Sequence, residues 1–349
     1  MARAPIVVGG VTVAPGARET VELELARLHT HTPVSMPVQV VHGKHDGPTL
    51  CISAAIHGDE LNGIEIVRRV LMLPQLKRLR GTLIAVPIVN VFGVLLQMRY
   101  LPDRRDLNRS FPGSEGGSLA ARLAYTFDTE VLAHATHAID LHTAAAHRTN
   151  LPQVRANLDD PETMRLARAF AAPVIIDAKT RDGSLRATAA ERGLPVLLYE
   201  GGQAMRFDED CIRVGVRGIR EVMRALDMLP PAKRRRMSTA EPVAVTQTSW
   251  VRTPTSGILR ASVGLGEHVA AGESLGVVGD PFGDGEVSLE APFGGIVIGH
   301  TQLPLVHEGD AAFNIARVQR AGDAVARIEA LTGDLDDSDL RKPDEPPMV

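Results

Sequence analysis

The stretch Ala54-Ala55-Ile56-His57-Gly58-Asp59-Glu60-Leu61-Asn62-Gly63 marks the point where a predicted strand gives way to a predicted helix. The apolar run from Leu50 to Ile56 is typical of a buried strand, and a helical spacing of apolar residues begins at Ile64. Polar residues at such a junction lie at the carboxyl end of a sheet, where α/β folds bind their ligands. We therefore expect the chemistry of this protein at the His-Gly-Asp-Glu turn.

The H-x-x-E spacing of His57 and Glu60 has two interpretations. At a strand-to-helix turn it can direct an imidazole nitrogen and a carboxylate oxygen to one point, which supplies two of the three protein ligands of a hydrolytic zinc site. Alternatively, Asp59 caps the following helix while His57 and Glu60 pair at the surface. The spacing alone is common, so the remaining motifs must decide between these two structures.

Composition excludes several classes of protein. The 349 residues suffice for a large domain and a smaller one, and 44% hydrophobic with 23% charged residues is ordinary for a water-soluble chain. A net charge of −4 gives no general attraction to nucleic acid, and no apolar run approaches the roughly 20 residues that cross a membrane. Two cysteines make no disulfide framework, and the N-terminus lacks the apolar core of a signal peptide. We predict a cytoplasmic protein without a nucleic-acid or membrane partner.

From Leu50 onward, apolar strands alternate with amphipathic helices. This pattern predicts an α/β fold with a mixed, mostly parallel sheet covered by helices on both faces. The predicted strands are 50–56, 82–89, 138–142, 173–178 and 195–200, and the predicted helices are 61–71, 118–135, 161–170, 185–192 and 208–226. The chain has neither a P-loop nor a strand-linked G-x-G-x-x-G pattern, so nucleotide chemistry is not expected.

Changes of pattern divide the chain into further segments. Residues 1–47 carry alternating apolar positions between glycines and prolines, which predicts an N-terminal β segment packed on a catalytic domain at 48–229. A linker is predicted at 230–246. Its short basic run, 233–236, favours a solvated linker over a nucleic-acid contact because the rest of the chain is acidic.

The C-terminal part has a different composition. Residues 247–318 are rich in glycine and contain a near-repeat, Pro254-Thr-Ser-Gly257-Ile258 and Pro292-Phe-Gly-Gly295-Ile296, which predicts a small all-β barrel or sandwich. This module resembles biotinyl and lipoyl carrier domains but holds no lysine to carry either group. We predict a structural role for it, such as shaping the site or forming a homo-oligomer contact. Residues 319–349 are predicted to form a short helix and a disordered acidic tail.

A third metal ligand is expected from the end of another strand. His142 ends the short apolar strand 138–142, and Asp140 lies on the same strand face, where its carboxylate can orient a ligand. Taken alone, His142 is better explained as a histidine of the core than as a ligand. Together with His57 and Glu60 it completes two nitrogens and one oxygen, which leaves a fourth position open for water.

Glu200 is the candidate general base. It follows four apolar residues and precedes Gly201 and Gly202, so it stands where a strand leaves the sheet. A partly desolvated carboxylate beside a metal can move a proton from water to a departing amine. The alternative is an ordinary solvent-exposed strand end.

The loop from Arg99 to Gly113 is the candidate substrate-binding segment. It carries four arginines, Arg99, Arg104, Arg105 and Arg109. Asn108 and Arg109 can clamp a carboxylate, and another arginine of the loop can stabilise the oxygen that becomes negative when water adds to a carbonyl. The alternative is a surface loop of Asp–Arg pairs. We favour the functional interpretation because the loop follows the strand 82–89, which opens on the same sheet edge.

Four motifs stand in the order found in a known family: His57-Gly-Asp-Glu60, Asp106-Leu-Asn108-Arg109, Asp140-Leu-His142 and Tyr199-Glu200-Gly-Gly. Over roughly residues 48–226 the chain resembles the succinylglutamate desuccinylase/aspartoacylase family of the zinc carboxypeptidase A-like superfamily, and its C-terminal module is similar to theirs. The resemblance implies one Zn²⁺ per chain. The implied ligands are His57, Glu60 and His142, and the implied general base and acid is Glu200.

The resemblance also implies substrate contacts. Asn108 and Arg109 would bind a substrate carboxylate, and Arg186 is the nearest candidate for a further substrate-binding arginine. The family's oxyanion-stabilising arginine precedes the D-L-N-R motif and is followed by tyrosine, as Arg99 is; Arg104 and Arg105 stay alternatives because the spacing is slightly longer here. Thr149-Asn150-Leu-Pro resembles the subgroup that contains the N-acetyl-diaminobutyrate deacetylase of ectoine breakdown.

The sequence therefore predicts a zinc-dependent deacylase that hydrolyses the amide of a small N-acyl amino acid or a related amide. Two alternatives stay open. A metallocarboxypeptidase acting on peptides would need an open groove, which the C-terminal module is expected to cap. A non-enzymatic, zinc-stabilised binding protein would bind such a ligand without turnover.

Overall fold

The computed structural model describes residues 3–231 and 242–318, and most of its strands form one sheet of 13 strands. The strands are β1 (Ile6–Val8), β2 (Val11–Val13), β3 (Arg18–Arg27), β4 (Pro33–His42), β5 (His45–Ala54), β6 (Arg80–Val86), β7 (His137–Ala144), β8 (Arg148–Ala156), β9 (Val174–Asp177), β10 (Val196–Gln203), β11 (Val243–Val245), β12 (Thr248–Arg252), β13 (Gly257–Ala261), β14 (His268–Val269), β15 (Ser274–Gly279), β16 (Glu286–Glu290), β17 (Gly295–Thr301), β18 (Leu305–Val306) and β19 (Ala311–Arg317). The helices are α1 (Asn62–Leu71), α2 (Val91–Leu96), α3 (Leu119–Glu130), α4 (Pro161–Phe170), α5 (Leu185–Glu191) and α6 (Glu209–Ala225).

The large sheet has a parallel centre and antiparallel flanks. Its main order is β12-β19-β17-β8-β10-β7-β5-β6-β4-β3, in which β10, β7, β5 and β6 run parallel to one another. On one flank β4 and β3 are antiparallel to their neighbours in this order, and on the other β8, β17 and β19 are, while β9 pairs with β8 in parallel outside this order. This arrangement, with helices on both faces, confirms the predicted α/β fold.

The two faces of the sheet are covered by different helices. Apolar side chains of α1, α4 and α6 pack on one face, and those of α3 and α5 pack on the other. Four of the five helices predicted from the sequence begin at a side chain that accepts a backbone hydrogen bond: Ser118, Asp160, Ser184 and Asp208. These capping residues fix the starts of α3, α4, α5 and α6, each of which agrees with the prediction to within a residue. Of the helices in the described ranges, none has the length and apolar content needed to span a bilayer.

The strand β8 was not predicted from the sequence. It contains Pro152 and the buried polar residues Thr149, Asn150 and Gln153, so it lacks the apolar run by which its neighbours were recognised. Yet it lies inside the sheet, between β10 and β17. The pairing of β17 with β8 joins strands of the C-terminal module directly to the sheet that carries the candidate site.

Two predicted segments fall largely or wholly outside the described residues. Of the predicted linker 230–246, residues 232–241, which include the basic run, are not described, while 243–245 form β11 beside β9. The predicted helix and acidic tail at 319–349 lie outside the described residues. A second, four-stranded sheet of order β16-β15-β13-β18 belongs to the C-terminal module.

Candidate metal centre

Three predicted ligands, His57, Glu60 and His142, meet at the carboxyl ends of neighbouring parallel strands. Their ligand atoms all lie within 4.8 Å of one another, and all three residues are buried. His142 lies in β7, and the turn with His57 and Glu60 follows β5, its hydrogen-bonded neighbour. Ala55 ends β5 by adopting a left-handed φ of 52°, which turns the chain toward the centre.

Glycine is required at position 58 by a close approach of two backbones. A Cβ there would lie 2.0 Å from the carbonyl carbon of Gly93 in α2. The amide of Gly58 also donates a hydrogen bond to the Arg99 carbonyl. The turn that holds His57 and Glu60 is therefore fixed between α2 and the start of the loop from Arg99 to Gly113, which we call the arginine loop.

Each imidazole of the centre lies between two carboxylates. The Nδ1 atoms of His57 and His142 are each 2.8 Å from an oxygen of Glu60, while their Nε2 atoms are 3.1 Å from Asp106 and 2.7 Å from Asp140. A neutral imidazole has one N–H and cannot donate to both sides. A cation on the Nδ1 side would replace the second proton while Nε2–H still donates to the outer carboxylate. Two nitrogens and one carboxylate suit Zn²⁺, so the residues fit this ion.

The charges in the centre stabilise one another. Burial by itself would lower the pKa of His57 and of His142, but the facing carboxylates outweigh it and raise both pKa values. Burial would raise the pKa of Glu60, yet the two imidazoles hold it well below its usual range. The pKa of Asp106 is likewise held low, against burial, by His57 and then Arg99. The imidazoles and the facing carboxylates of the centre therefore favour each other's charged forms.

The surface-pair alternative for the turn is wrong. His57 and Glu60 are only 4% and 2% exposed. No side chain in the described part of the chain caps α1, and Oδ1 of the buried Asp59 has no hydrogen-bond partner there. Burial, together with the neighbouring Glu60, raises the pKa of Asp59.

Of the three candidate oxyanion arginines, Arg99 contacts the centre. Its Nη1 donates to Oε1 of Glu60 at 2.9 Å, and its Nη2 lies 3.5 Å from Asp106. Arg105 instead pairs with Asp103 at 3.6 Å and is 63% exposed. Arg104 adopts a left-handed φ of 62° in the turn between them.

The side chains of the three predicted substrate-binding residues each form a hydrogen bond with the protein backbone. Oδ1 of Asn108 accepts a hydrogen bond of 3.0 Å from the amide of Leu185, which ties the arginine loop to the start of α5. Nη1 of Arg109 donates to the carbonyl of Asn108. Nη2 of the buried Arg186 donates to the Ala178 carbonyl at 2.7 Å, and burial followed by repulsion from another arginine lowers its pKa.

Glu200 lies directly across from His142 in the pairing of β10 with β7. Its Oε2 accepts a hydrogen bond from Nδ2 of Asn150, and its Oε1 is 3.2 Å from Nε of Arg155. The side chain is 18% exposed, so the alternative of a solvent-exposed strand end is wrong. Both partners come from β8 and were missed at the sequence level, as was the contact of Asp106 with the centre. The D-L-N-R motif contained the signal for Asp106, and Thr149-Asn150-Leu-Pro contained that for Asn150.

The chain is similar to known proteins over most of its length. A family model of the succinylglutamate desuccinylase/aspartoacylase catalytic domain matches residues 46–226. The N-alpha-acetyl-L-2,4-diaminobutyric acid deacetylase of Halomonas elongata is 27% identical over 296 residues, which cover 82% of this chain and 86% of that protein.

Solved structures share the fold. A succinylglutamate desuccinylase/aspartoacylase from Rhodobacter sphaeroides is 26% identical with a TM-score of 0.77, covering 86% of this chain and 95% of that one. The product-bound ectoine utilization protein EutE (DoeB) from Ruegeria pomeroyi is 24% identical with a TM-score of 0.76 over the same shares of the two chains, 86% and 95%. The similarity therefore extends beyond the catalytic domain into the C-terminal module.

Proposed function

The chain belongs to the succinylglutamate desuccinylase/aspartoacylase family, and from this we propose that it is a zinc-dependent deacylase that hydrolyses the amide bond of a small N-acyl amino acid. The observation that carries the proposal is the buried His57–Glu60–His142 cluster with Glu200 on the adjacent strand. The first substrate to test is N-acetyl-2,4-diaminobutyrate, because the Halomonas relative is named for deacetylating it.

His57 and His142, through Nδ1, and Glu60, through its carboxylate, would hold one Zn²⁺ per chain. When bound, this ion would polarise the amide carbonyl and lower the pKa of a water toward about 7. Asp106 and Asp140 accept hydrogen bonds from the Nε2 atoms, so they fix the tautomer and the orientation of the two rings.

Glu200 would move the proton. Its position across from His142 places the two Cα atoms about 4.8 Å apart, the ordinary spacing of neighbouring strands. From there the carboxylate takes a proton from water and delivers it to the nitrogen of the departing amine. Positioned acid–base groups contribute about 10²- to 10⁴-fold to the rate.

Arg99 and three further residues would bind the substrate. The Arg99 guanidinium stabilises the developing oxyanion, a contribution of about 3 kcal/mol for a single donor of this kind. It is held beside the centre by its contact with Glu60. Asn108, Arg109 and Arg186 would contact the substrate carboxylate, and for Arg186 its burial favours an anionic partner.

The test is amine release from a panel of amides by the purified protein, the chelated protein and the chelated protein with Zn²⁺ restored. The panel holds N-acetyl-2,4-diaminobutyrate, N-acetyl-aspartate, N-succinyl-glutamate and a series of short peptides. We expect release from at least one N-acyl amino acid, loss on chelation and recovery with Zn²⁺. Cleavage of peptides alone would indicate a carboxypeptidase instead, and tight binding without turnover would indicate a binding protein.

A Glu200→Gln variant separates metal binding from proton transfer. It should keep one Zn²⁺ by elemental analysis and lose about 10²- to 10⁴-fold in kcat, because the amide cannot accept the proton. Normal turnover in this variant would remove Glu200 from the mechanism. The cytoplasmic location and the homo-oligomer stay predictions from the sequence.

A further inference from the structure

The C-terminal module reaches the candidate base through one residue of β8. Asn150 is paired with Gly202 of β10 on one side and with Gly299 of β17 on the other. It is 6% exposed. Asn150 thus stands between the strand that carries Glu200 and a strand of the module.

The hydrogen bond from Asn150 occupies only one oxygen of the Glu200 carboxylate. Nδ2 of Asn150 donates to Oε2. Nε of Arg155 is 3.2 Å from Oε1, but among the described residues this Nε makes no hydrogen bond. The amide of Asn150 therefore fixes the rotation of the carboxylate while Oε1 keeps a lone pair for a proton.

Close packing around position 299, rather than backbone conformation, explains the glycine there. Its backbone is not in the left-handed region that favours glycine. A Cβ at this position would lie 2.7 Å from Oδ1 of Asn150, 3.3 Å from the Thr149 carbonyl and 3.6 Å from Cβ of Asn314. The shortest of these contacts is to the end of the Asn150 side chain, which can rotate away. Rotation would move Nδ2 off Glu200.

We propose that Gly299 of the C-terminal module is a positioning residue for Glu200. Because Gly299 has no side chain, the Asn150 amide has the space to keep its hydrogen bond to Oε2 of Glu200. The inference rests on the deacylase function proposed above. It gives the module a part in the reaction without any contact to the substrate. A misplacement of about 1 Å at a reacting group costs up to about 10²-fold in rate, which sets the size of the expected effect.

The first experiment is Gly299→Ala, with Gly294→Ala as its matched control. A Cβ at Gly294, just before β17, would meet its nearest neighbour at 3.5 Å, an ordinary contact. We expect Gly299→Ala to fold, to keep its Zn²⁺ and its KM, and to lose about 10- to 100-fold in kcat. Gly294→Ala should match the parent protein. Equal kcat values for the two variants would overturn the proposal.

A double-mutant cycle separates positioning from general damage to the sheet. Asn150→Ala alone should lower kcat by an amount similar to Gly299→Ala. Once Asn150 is truncated, adding Gly299→Ala should change kcat by less than about 2-fold, because the same interaction is already lost. Multiplicative losses would mean that Gly299 acts by another route, and the proposal would then be wrong.

Crystal structures of the parent protein and of Gly299→Ala give a readout that needs no substrate. Nδ2 of Asn150 should lie within hydrogen-bonding distance of Oε2 of Glu200 in the parent, and more than about 3.5 Å from it in the variant. If the parent cleaves no amide of the panel, the proposed function fails while this comparison still decides the positioning. If the parent is active and an undisplaced Asn150 is seen in Gly299→Ala, the positioning fails while the function stands.

Discussion

Two clusters of charged side chains in this molecule differ in how far apart their members lie along the chain. The first is the candidate metal centre at the carboxyl ends of β5 and β7. The second is an ion-pair network between α1 and α6, in which Arg69 bridges Glu65 at 2.7 Å and Glu209 at 2.8 and 2.9 Å. Arg68 also pairs with Glu65, and Arg213 pairs with Glu209.

The two clusters are built from different distances along the chain. Most pairs of the network are three or four residues apart on one helix, a spacing that local helical geometry satisfies. The centre draws its members from two strand ends and the arginine loop. In the network the cations are permanent guanidinium groups. In the centre each of the two imidazoles lies between two carboxylates, and the ligand atoms of His57, Glu60 and His142 could hold a metal ion. The comparison teaches that ion pairs along a helix follow from local spacing, whereas the centre exists only because the tertiary fold brings its members together.

Removal of a ligand should have the largest effect. In His142→Ala the centre loses one nitrogen, so the Zn²⁺ content should fall far below one per chain and hydrolysis should fall to background. His137→Ala is the matched control, since His137 begins the same strand and contacts Glu162 at 3.3 Å instead. Elemental analysis and amine release check both variants. A full complement of Zn²⁺ in His142→Ala would show that His142 is not a ligand.

Loss of an outer carboxylate should have an intermediate effect. Asp140 joins Nε2 of His142, at 2.7 Å, to the hydroxyl of Ser53, at 2.8 Å. Asp140→Asn keeps the shape but removes the charge that orients the ring, so Zn²⁺ should bind about 10- to 100-fold more weakly. Competition with a chromogenic chelator measures the change. Unchanged affinity would show that Asp140 does not support the ligand.

A change in the helix network should affect only stability. Arg69→Met removes the bridge between Glu65 and Glu209, and we expect the free energy of unfolding to fall by about 1 to 2 kcal/mol. Zn²⁺ content and kcat should stay at the parent values. Urea unfolding measures the loss, with Arg78→Met at an exposed position as the control. A loss of Zn²⁺ in Arg69→Met would show that the two clusters are coupled.

The smallest expected effect is the pH dependence of the difference in unfolding free energy between the parent protein and Arg69→Met. Burial would raise the pKa values of Glu65 and Glu209, but their arginine partners outweigh it and lower both. Carboxylates with a lowered folded-state pKa stabilise the fold above their unfolded pKa and lose that contribution as the pH falls through the folded one. The difference in unfolding free energy between the parent and Arg69→Met should therefore become smaller as the pH is lowered from about 7 to about 3. A constant difference in urea unfolding would contradict this.

The sequence predicted those parts of the fold that local patterns encode. Apolar runs identified the parallel strands, and the amphipathic spacing of apolar residues located the helix starts to within a residue. The strand β8 escaped prediction because its polar residues are buried by neighbours distant in the chain. Asn150 and Arg155 were therefore not recognised as partners of Glu200.

By itself the sequence determined the α/β class and the residues at the strand ends, because strand and helix periodicity and the motifs of the family are properties of short segments. Only the tertiary structure decided that Arg99 is the arginine at the centre, that Asp106 contacts His57, and that β17 joins the sheet beside β8. These contacts depend on strand order and register. Both are set by packing between segments far apart in the chain, which no short window of sequence contains.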